Sequence, residues 1–405
     1  MRQDFRPTLV LSLVAFFVMM GVSIISPVLP AYALSFGVSL ALVGLLISAF
    51  AIARVMLDIP AGMFSPRFGM KRFMLIGLGI IAVSSMAAGL AVDYYTLLAA
   101  RILEGVGSAM YTTVSITMVS KLAPREARGA HLSFYLSMFL LGTAFGPAVG
   151  GAVSDQFGLN APFLVYGLCG AASFVMVYLW VSEVSSTPEE RDRITLRQLG
   201  RLVSRHDLLA INLGTIGVFI VRQGILNTMV PLFARYNLGL GEGSLGLILT
   251  IGAVCNLVMM VFAGRWTDRY GRKPFMVAAL MMLAALILLL PFVRDAIGLT
   301  VMLMAMGFAI GLTGPIAAWI ADLTSPRDLG AAMGLFRTMG DAGFVIAPIV
   351  LAALAGSAGG AVSPIPFFVA GMVVLMLCVP LLKTPDPIGE GRRDRPQGIS
   401  VDDHR

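Results

Sequence analysis

Twelve stretches of roughly 20 mostly apolar residues follow one another along this chain, and no other feature constrains its fold so tightly. The hydrocarbon core of a bilayer is about 30 Å thick, and a helix rising about 1.5 Å per residue crosses it in about 20 residues. The predicted spans are 8–32, 40–64, 73–92, 96–119, 130–154 and 161–182, followed by 208–233, 242–266, 274–293, 297–321, 330–355 and 364–382. Water cannot solvate a chain that is 58% hydrophobic and 13% charged, since about a quarter of an ordinary soluble domain is charged. The expected fold is an all-α polytopic membrane protein with 12 transmembrane helices. Residues 1–182 and 208–382 each form six of them, joined by the polar, arginine-rich linker 183–207. The segment 383–405, rich in proline, glycine and mixed charge, is expected to be disordered.

A net charge of +7 would point to nucleic acid in a soluble protein, but the placement of the bases decides otherwise. Of 29 Lys and Arg, 23 fall in the N-terminus, the linker, the tail and alternate loops, and only Arg235 and Arg294 fall in the opposite loops. The positive-inside rule therefore places both termini and the linker in the cytoplasm. The expected location is the plasma membrane, in a bacterium the inner membrane. The run Ala31-Tyr32-Ala33 has the look of a leader-peptide cleavage site, yet the apolar stretch before it is too long and contains Pro27 and Pro30, so it reads as the first span. Cys169, Cys255 and Cys378 lie inside apolar segments and read as small hydrophobes, not as a disulfide or metal framework.

The two halves repeat one another. Gly62-Met-Phe-Ser-Pro66-Arg67-Phe-Gly69-Met-Lys71 is matched at an offset of 202 by Gly264-Arg-Trp-Thr-Asp268-Arg269-Tyr-Gly271-Arg272-Lys273, and Pro147 by Pro348 at 201. Parallel six-helix repeats with a substrate site near mid-membrane at their interface are a recurring way to build alternating access. These residues resemble the major facilitator superfamily over essentially the whole chain. The copy Gly264–Lys273 is similar to that family's loop after the second helix, whereas the first copy departs at Pro66 and Met70. Arg101-Ile-Leu-Glu104-Gly105-Val-Gly107 resembles the family's fourth-helix motif, with Glu104 in place of the usual Gln. Gly142-Thr-Ala-Phe-Gly146-Pro147-Ala-Val-Gly150-Gly151 is similar to the fifth-helix motif of the 12-helix drug:proton antiporter branch. The resemblance implies two pseudo-symmetric bundles and export by alternating access.

Physically, the loop bases Arg67, Lys71, Arg269, Arg272 and Lys273 can meet carboxylates or helix C-termini on the partner bundle, and Asp268 a helix N-terminus, or they simply obey the positive-inside rule. Gly62, Gly69, Gly264 and Gly271 allow tight turns and close approach. Gly142, Gly146 and Gly150 share one helix face beside Pro147 and Gly151, forming either a sliding surface or a static packing face. Charges inside spans are the sharpest pointers, because each costs on the order of 2.5–3.5 kcal/mol to insert. Arg54 and Asp58, and likewise Arg337 and Asp341, are spaced for same-face pairs that are either structural or proton-coupling. Arg101 and Glu104 are the preferred coupling pair, because burial favours a protonated carboxyl while a well-oriented arginine favours the carboxylate. Arg222 has no acid at helical spacing, so it awaits a substrate anion or a carboxylate from another helix.

Neither a phosphate-binding loop, metal-ligand spacing nor a nucleophile elbow is present, so neither ATP drive nor an enzyme is expected; the resemblance to drug:proton antiporters implies a proton gradient as the energy source, without a cofactor. The leading expectation is a secondary exporter of small amphipathic molecules exchanged for protons. The alternatives are an uptake symporter or uniporter for a polar or anionic metabolite, and a non-transporting receptor or scaffold on the same fold. The expected partners are a small molecule and the lipid bilayer, with the chain acting as a monomer and no nucleic acid involved.

Overall fold

The computed structural model describes residues 5–124, 127–183, 202–325, 328–356, 361–384 and 386, apart from the side chains at 59, 62, 63, 66, 67 and 330. Among these described residues, twelve helices are long and apolar enough to cross a membrane. In the first half they are α1 (Arg6–Ile24, resuming as Leu29–Ser35), α2 (Leu40–Phe68), α3 (Met70–Gly89), α4 (Tyr94–Leu122), α5 (Arg128–Phe157) and α6 (Ala161–Trp180). In the second half they are α7 (His206–Tyr236), α8 (Glu242–Tyr270), α9 (Lys273–Leu289), α10 (Ala296–Leu312, resuming as Ile316–Asp322), α11 (Leu329–Leu354) and α12 (Ile365–Cys378). The predicted spans match these helices in number and order; α2, α4, α5 and α8 run further at their ends. Most of the predicted linker and tail, 184–201 and 387–405, lies outside the described residues.

Local chemistry explains the interruptions. Proline lacks an N–H and cannot continue a helical ladder. α1 turns at residues 25–28 and restarts with Pro30 in its first turn, and α10 turns at residues 313–315 and restarts behind Pro315. Asp93 and Asp295, equivalent at the offset of 202, each cap the helix that follows, their carboxylates accepting from Thr96 N–H and Gly298 N–H at 2.7 Å. α7 is unlike the rest: Ile220–Met229 is wound as a π-helix between two α-helical segments.

Two large apolar cores follow the two halves, with a small third cluster of Met259, Ala263, Ala279 and Leu312 in the second half. One gathers residues between Leu11 and Val181, including Met74, Leu78, Tyr111 and Phe163; the other gathers residues between Leu202 and Leu381, including Phe233, Leu280, Trp319 and Phe367. Lipid is as apolar as leucine, so close packing of small residues must hold helices together. That packing is seen at matched places: a methyl on Gly105 would strike the Phe50 carbonyl between α4 and α2, and a methyl on Gly307 would strike the Gly252 carbonyl between α10 and α8, both pairs being related by the offset of 202. Large apolar side chains such as Val83, Leu168, Leu179, Val261 and Ile297 cover the outside.

Candidate functional site

The bundles meet along two seams, α2 against α11 and α5 against α8. "Terminal side" here means the side on which α1 begins, and "far side" the opposite one. Toward the far side each seam has the same construction. Gly44 of α2 lies against the Pro348 carbonyl of α11, with its nearest Ala352 methyl 2.8 Å from an added Cβ, and Gly246 of α8 lies against the Pro147 carbonyl of α5, with Gly151 Cα at 3.2 Å. Ser48 Oγ donates to Val345 O (2.6 Å), and its equivalent Thr250 accepts from Ala148 N–H (2.9 Å). Asp155 at the end of α5 accepts from Gly243 N–H in the first turn of α8, 3.1 Å from either carboxylate oxygen. Between the seams Ser26 Oγ donates to Asn227 Oδ1 at 2.8 Å.

Toward the terminal side the seams part company. Asp58 of α2 accepts from Arg337 of α11 across the seam at 2.6 Å and from Thr113 of α4 at 3.2 Å, while Arg54 Nε is 3.9 Å from it. Asp341 lies within electrostatic reach of Arg54, Arg337 and Asp58. The expected same-helix pair Arg337 with Asp341 is thus replaced by a pair between bundles, because Asp58 presents a carboxylate oxygen at hydrogen-bond distance. The hydrogen bonds from Ser26, Ser48, Ala148 and Gly243 between the bundles all lie on the far side of this pair.

Arg101 and Glu104 sit elsewhere, sealed inside the first bundle. Glu104 is 0% exposed and Arg101 4% exposed. Arg101 donates to Glu104 Oε2, and its guanidinium lies 4.7 Å from the Phe50 ring centroid. Ser85 of α3 faces the carboxylate without reaching hydrogen-bond geometry, and Tyr166 of α6 stands against both charges. Glu104 Oε1, Ser85 Oγ and the Tyr166 hydroxyl are all buried with no partner among the described residues. Arg101 satisfies Glu104 Oε2, while Oε1 has no partner among the described residues, so the buried carboxylate is only half satisfied.

The glycine stripe and the loop motifs take positions the sequence left open. Gly142, Gly146 and Gly150 face α1 within their own bundle, against Phe16, Met20, Ser23 and Ile24, whereas Pro147 and Gly151 face α8 across the seam. In the loops, Gly69 (φ +89°) and Gly271 (φ +95°) occupy the left-handed region that favours glycine. Each turn holds a carboxylate: Glu183 after α6 accepts from Lys71 N–H at 3.0 Å, and Asp386 after α12 accepts from Lys273 N–H at 3.0 Å. Glu183 and Asp386 were not singled out in the sequence; their offset of 203 from one another, beside a repeat of 202, was the signal. Lys71 Nζ donates to Tyr178 O (2.9 Å), Arg272 Nε to Asp322 (2.5 Å), and Arg269 lies over the Tyr270 ring at 5.4 Å. Asp268 pairs with Arg272 at 3.4 Å instead of a helix N-terminus. Lys71 and Arg272 therefore meet their own bundles and not the partner, since groups on the same bundle lie within hydrogen-bond reach. A Cβ added at Gly264 would meet nothing within 4 Å beyond its own helix, and the side chains at Gly62 and Arg67 lie outside the described residues.

Arg222 falls mid-span in the π-helical part of α7. Its Nε is buried without a partner, and among the described residues the acid from another helix expected as one alternative does not pair with it.

Two six-helix bundles on one plan, meeting at a seam with ionisable groups at membrane depth, define a transporter. The chain belongs to the Major Facilitator Superfamily, whose profile matches residues 11–221 and again 211–401. It is 25% identical over 358 residues to an uncharacterized MFS-type transporter of Methanocaldococcus jannaschii, covering 86% of this chain and 91% of the relative. To a multi-drug resistance efflux pump PmrA homolog of Lactococcus lactis subsp. lactis it is 24% identical over 350 residues, covering 84% and 86%. Its fold matches the crystal structure of a D-xylose-proton symporter with a TM-score of 0.76 at 17% identity, over 95% and 98% of the two chains. The protein is a multi-pass membrane transporter of small molecules.

Proposed function

We propose that this transporter exports small amphipathic molecules in exchange for protons, as a monomer in a bacterial inner membrane with both termini cytoplasmic. The reading is supported by the 23-to-2 distribution of loop bases and by the similarity to a multi-drug efflux pump. With that orientation the seam is joined on the periplasmic side, and the cytoplasmic side is the side from which cargo would enter.

The observation that carries the coupling is Glu104: a fully buried carboxylate with one oxygen on Arg101 and the other bare among Ser85 and Tyr166. It sits in the half of α4 nearer the far side, where protons would arrive from the periplasm. Gaining a proton leaves Arg101 without its counter-charge, so a rearrangement that re-pairs or rehydrates Arg101 is favoured. That is how occupancy by a proton biases one bundle arrangement over the other.

Purified protein in liposomes under an imposed pH gradient, offered a panel of lipophilic cations and small organic acids, tests the reading. Wild type is expected to accumulate substrate against its gradient. Glu104→Gln, which copies the shape of the protonated acid, should lose accumulation and keep downhill exchange. Normal accumulation with unchanged pH dependence in that variant would move the proton site to Asp341 or Asp58.

A further inference from the structure

Of Arg54, Arg101, Arg222 and Arg337, which lie well inside the spans, three stand with acids. Arg101 has Glu104, while Arg54 and Arg337 share Asp58, with Asp341 in reach of both. Among the described residues Arg222 has no acid beside it. A cation left without a partner at mid-membrane is costly, and such residues face a cavity or a transient partner.

Three further observations say what that partner is. First, Arg222 lies in Ile220–Met229, the one π-helical stretch among the described residues, and such windings recur at functional sites. Second, its position relative to the seam is defined. Asn227, one i→i+5 turn further toward the far side, reaches Ser26 of the first bundle and also holds Gln223 Oε1 at 2.9 Å. Arg222 therefore lies one such turn to the terminal side of that contact, beside Gln223, and is of intermediate exposure. Third, the repeat shows it to be an addition to the common plan. At the offset of 201 that relates Pro30 to Pro231, Arg222 corresponds to Gly21, which packs on the Tyr166 ring and carries no charge.

We propose that Arg222 is the anion-binding centre of the substrate site, so that the preferred cargo carries a carboxylate or similar planar oxyanion beside its apolar part. The guanidinium presents a flat fork of donors matched to such a group, with the amides of Gln223 and Asn227 as neutral neighbours. Entry of the anion gives Arg222 the counter-charge that the fold withholds. The inference rests on the transporter reading, but on neither its direction nor its coupling.

The test is equilibrium binding to the purified full-length protein without any gradient. The probes are matched pairs of aromatic carboxylates and their primary amides, such as 2-naphthoate with 2-naphthamide and 4-butylbenzoate with its amide. Wild type is expected to prefer the carboxylate about tenfold or more, the scale of a bidentate charge-assisted contact. Arg222→Gln should abolish the preference while melting at the same temperature as wild type or higher, because it removes an uncompensated charge. Arg222→Lys should retain part of the preference. Equal affinity for acid and amide in wild type, an undiminished preference in Arg222→Gln, displacement of the carboxylates by equimolar chloride, or failure of every carboxylate to bind would each overturn the proposal. A result of this kind leaves the gradient experiment on Glu104 untouched, and a failure of coupling leaves this one untouched.

Discussion

The two seams between the bundles are built alike on the far side and differently on the terminal side. Gly44 on Pro348 and Gly246 on Pro147 are equivalent crossings, and Ser48 and Thr250 are equivalent polar contacts. Beyond them, the α2–α11 seam carries Arg54, Asp58, Arg337 and Asp341, whereas the corresponding positions on the α5–α8 seam are Asn256, Met260, Leu136 and Leu140. The shared part is what any pair of such bundles needs in order to close. A smooth glycine against a backbone carbonyl gives close contact in one arrangement without interlocked side chains to oppose separation. The charged part is the particular property of one seam, and it makes that seam sensitive to ionic contacts where its twin is uncharged.

Bulk at the crossings is expected to have the largest effect. Gly44→Leu and Gly246→Leu each place a side chain into a carbonyl of the opposite bundle, and overpacking of about 1–3 kcal/mol corresponds to roughly 5- to 150-fold in the population of the joined state. Both should slow transport similarly, measured as turnover in liposomes; an effect at only one would show that the crossings are equivalent in shape alone. Gly150→Leu is the control, because its neighbour is Ile24 of the same bundle: it should lower the melting temperature of the purified protein instead of selectively changing the cycle. A normal melting temperature with slowed transport would return the stripe to the sliding surface.

Asp58→Asn comes next. It removes the cross-seam ion pair with Arg337, whose side chain is 47% exposed, so the contact is worth at most about 1 kcal/mol and the shift in state populations at most about fivefold. The shift should weaken with added salt, and no comparable salt dependence should appear on changing Met260. Asp155→Asn should do less still, since an amide oxygen still accepts from Gly243 N–H; a change beyond about twofold in turnover would mean that the charge, not the hydrogen bond, holds α5 to α8.

The smallest expected effect is a helix cap outside the membrane. The Thr96 backbone N–H holds the Asp93 carboxyl below its ordinary value of 3.8. The folded value is the lowered one, so the stabilisation is complete above the ordinary value and is lost as pH falls through the lowered one. Asp93→Ala should therefore melt below wild type at neutral pH, and the gap in melting temperature should close below about pH 4.

How far the sequence carries can be judged from these same residues. Apolar length alone located twelve spans, because the cost of an unsatisfied backbone in lipid leaves few alternatives. The repeat exposed Pro147 and Pro348 as equivalents. It did not pair them with Gly246 and Gly44, since a contact between distant helices leaves no mark in local spacing. The four-residue period of Gly142, Gly146 and Gly150 was legible, but which helix they face was not. Spacing of three or four residues predicted pairs within a helix; it correctly joined Arg101 to Glu104 and missed that Arg337 reaches across to Asp58. The π-helical winding of Ile220–Met229 follows no apolar period visible in the chain.

The central claim, that a proton on Glu104 biases the bundle arrangement, is tested most directly by distances between spin labels in the reconstituted protein. Phe68 and Tyr270, exposed and equivalent at the ends of α2 and α8, report the terminal side; Val92 and Ile297, also exposed, report the far side. In wild type the two distance distributions should change in opposite senses between neutral and acidic pH, as a coupled two-state arrangement requires. In Glu104→Gln both should be fixed at the acidic-pH distribution throughout that range. A Glu104→Gln protein whose distributions still follow pH as the wild type's do would contradict the claim.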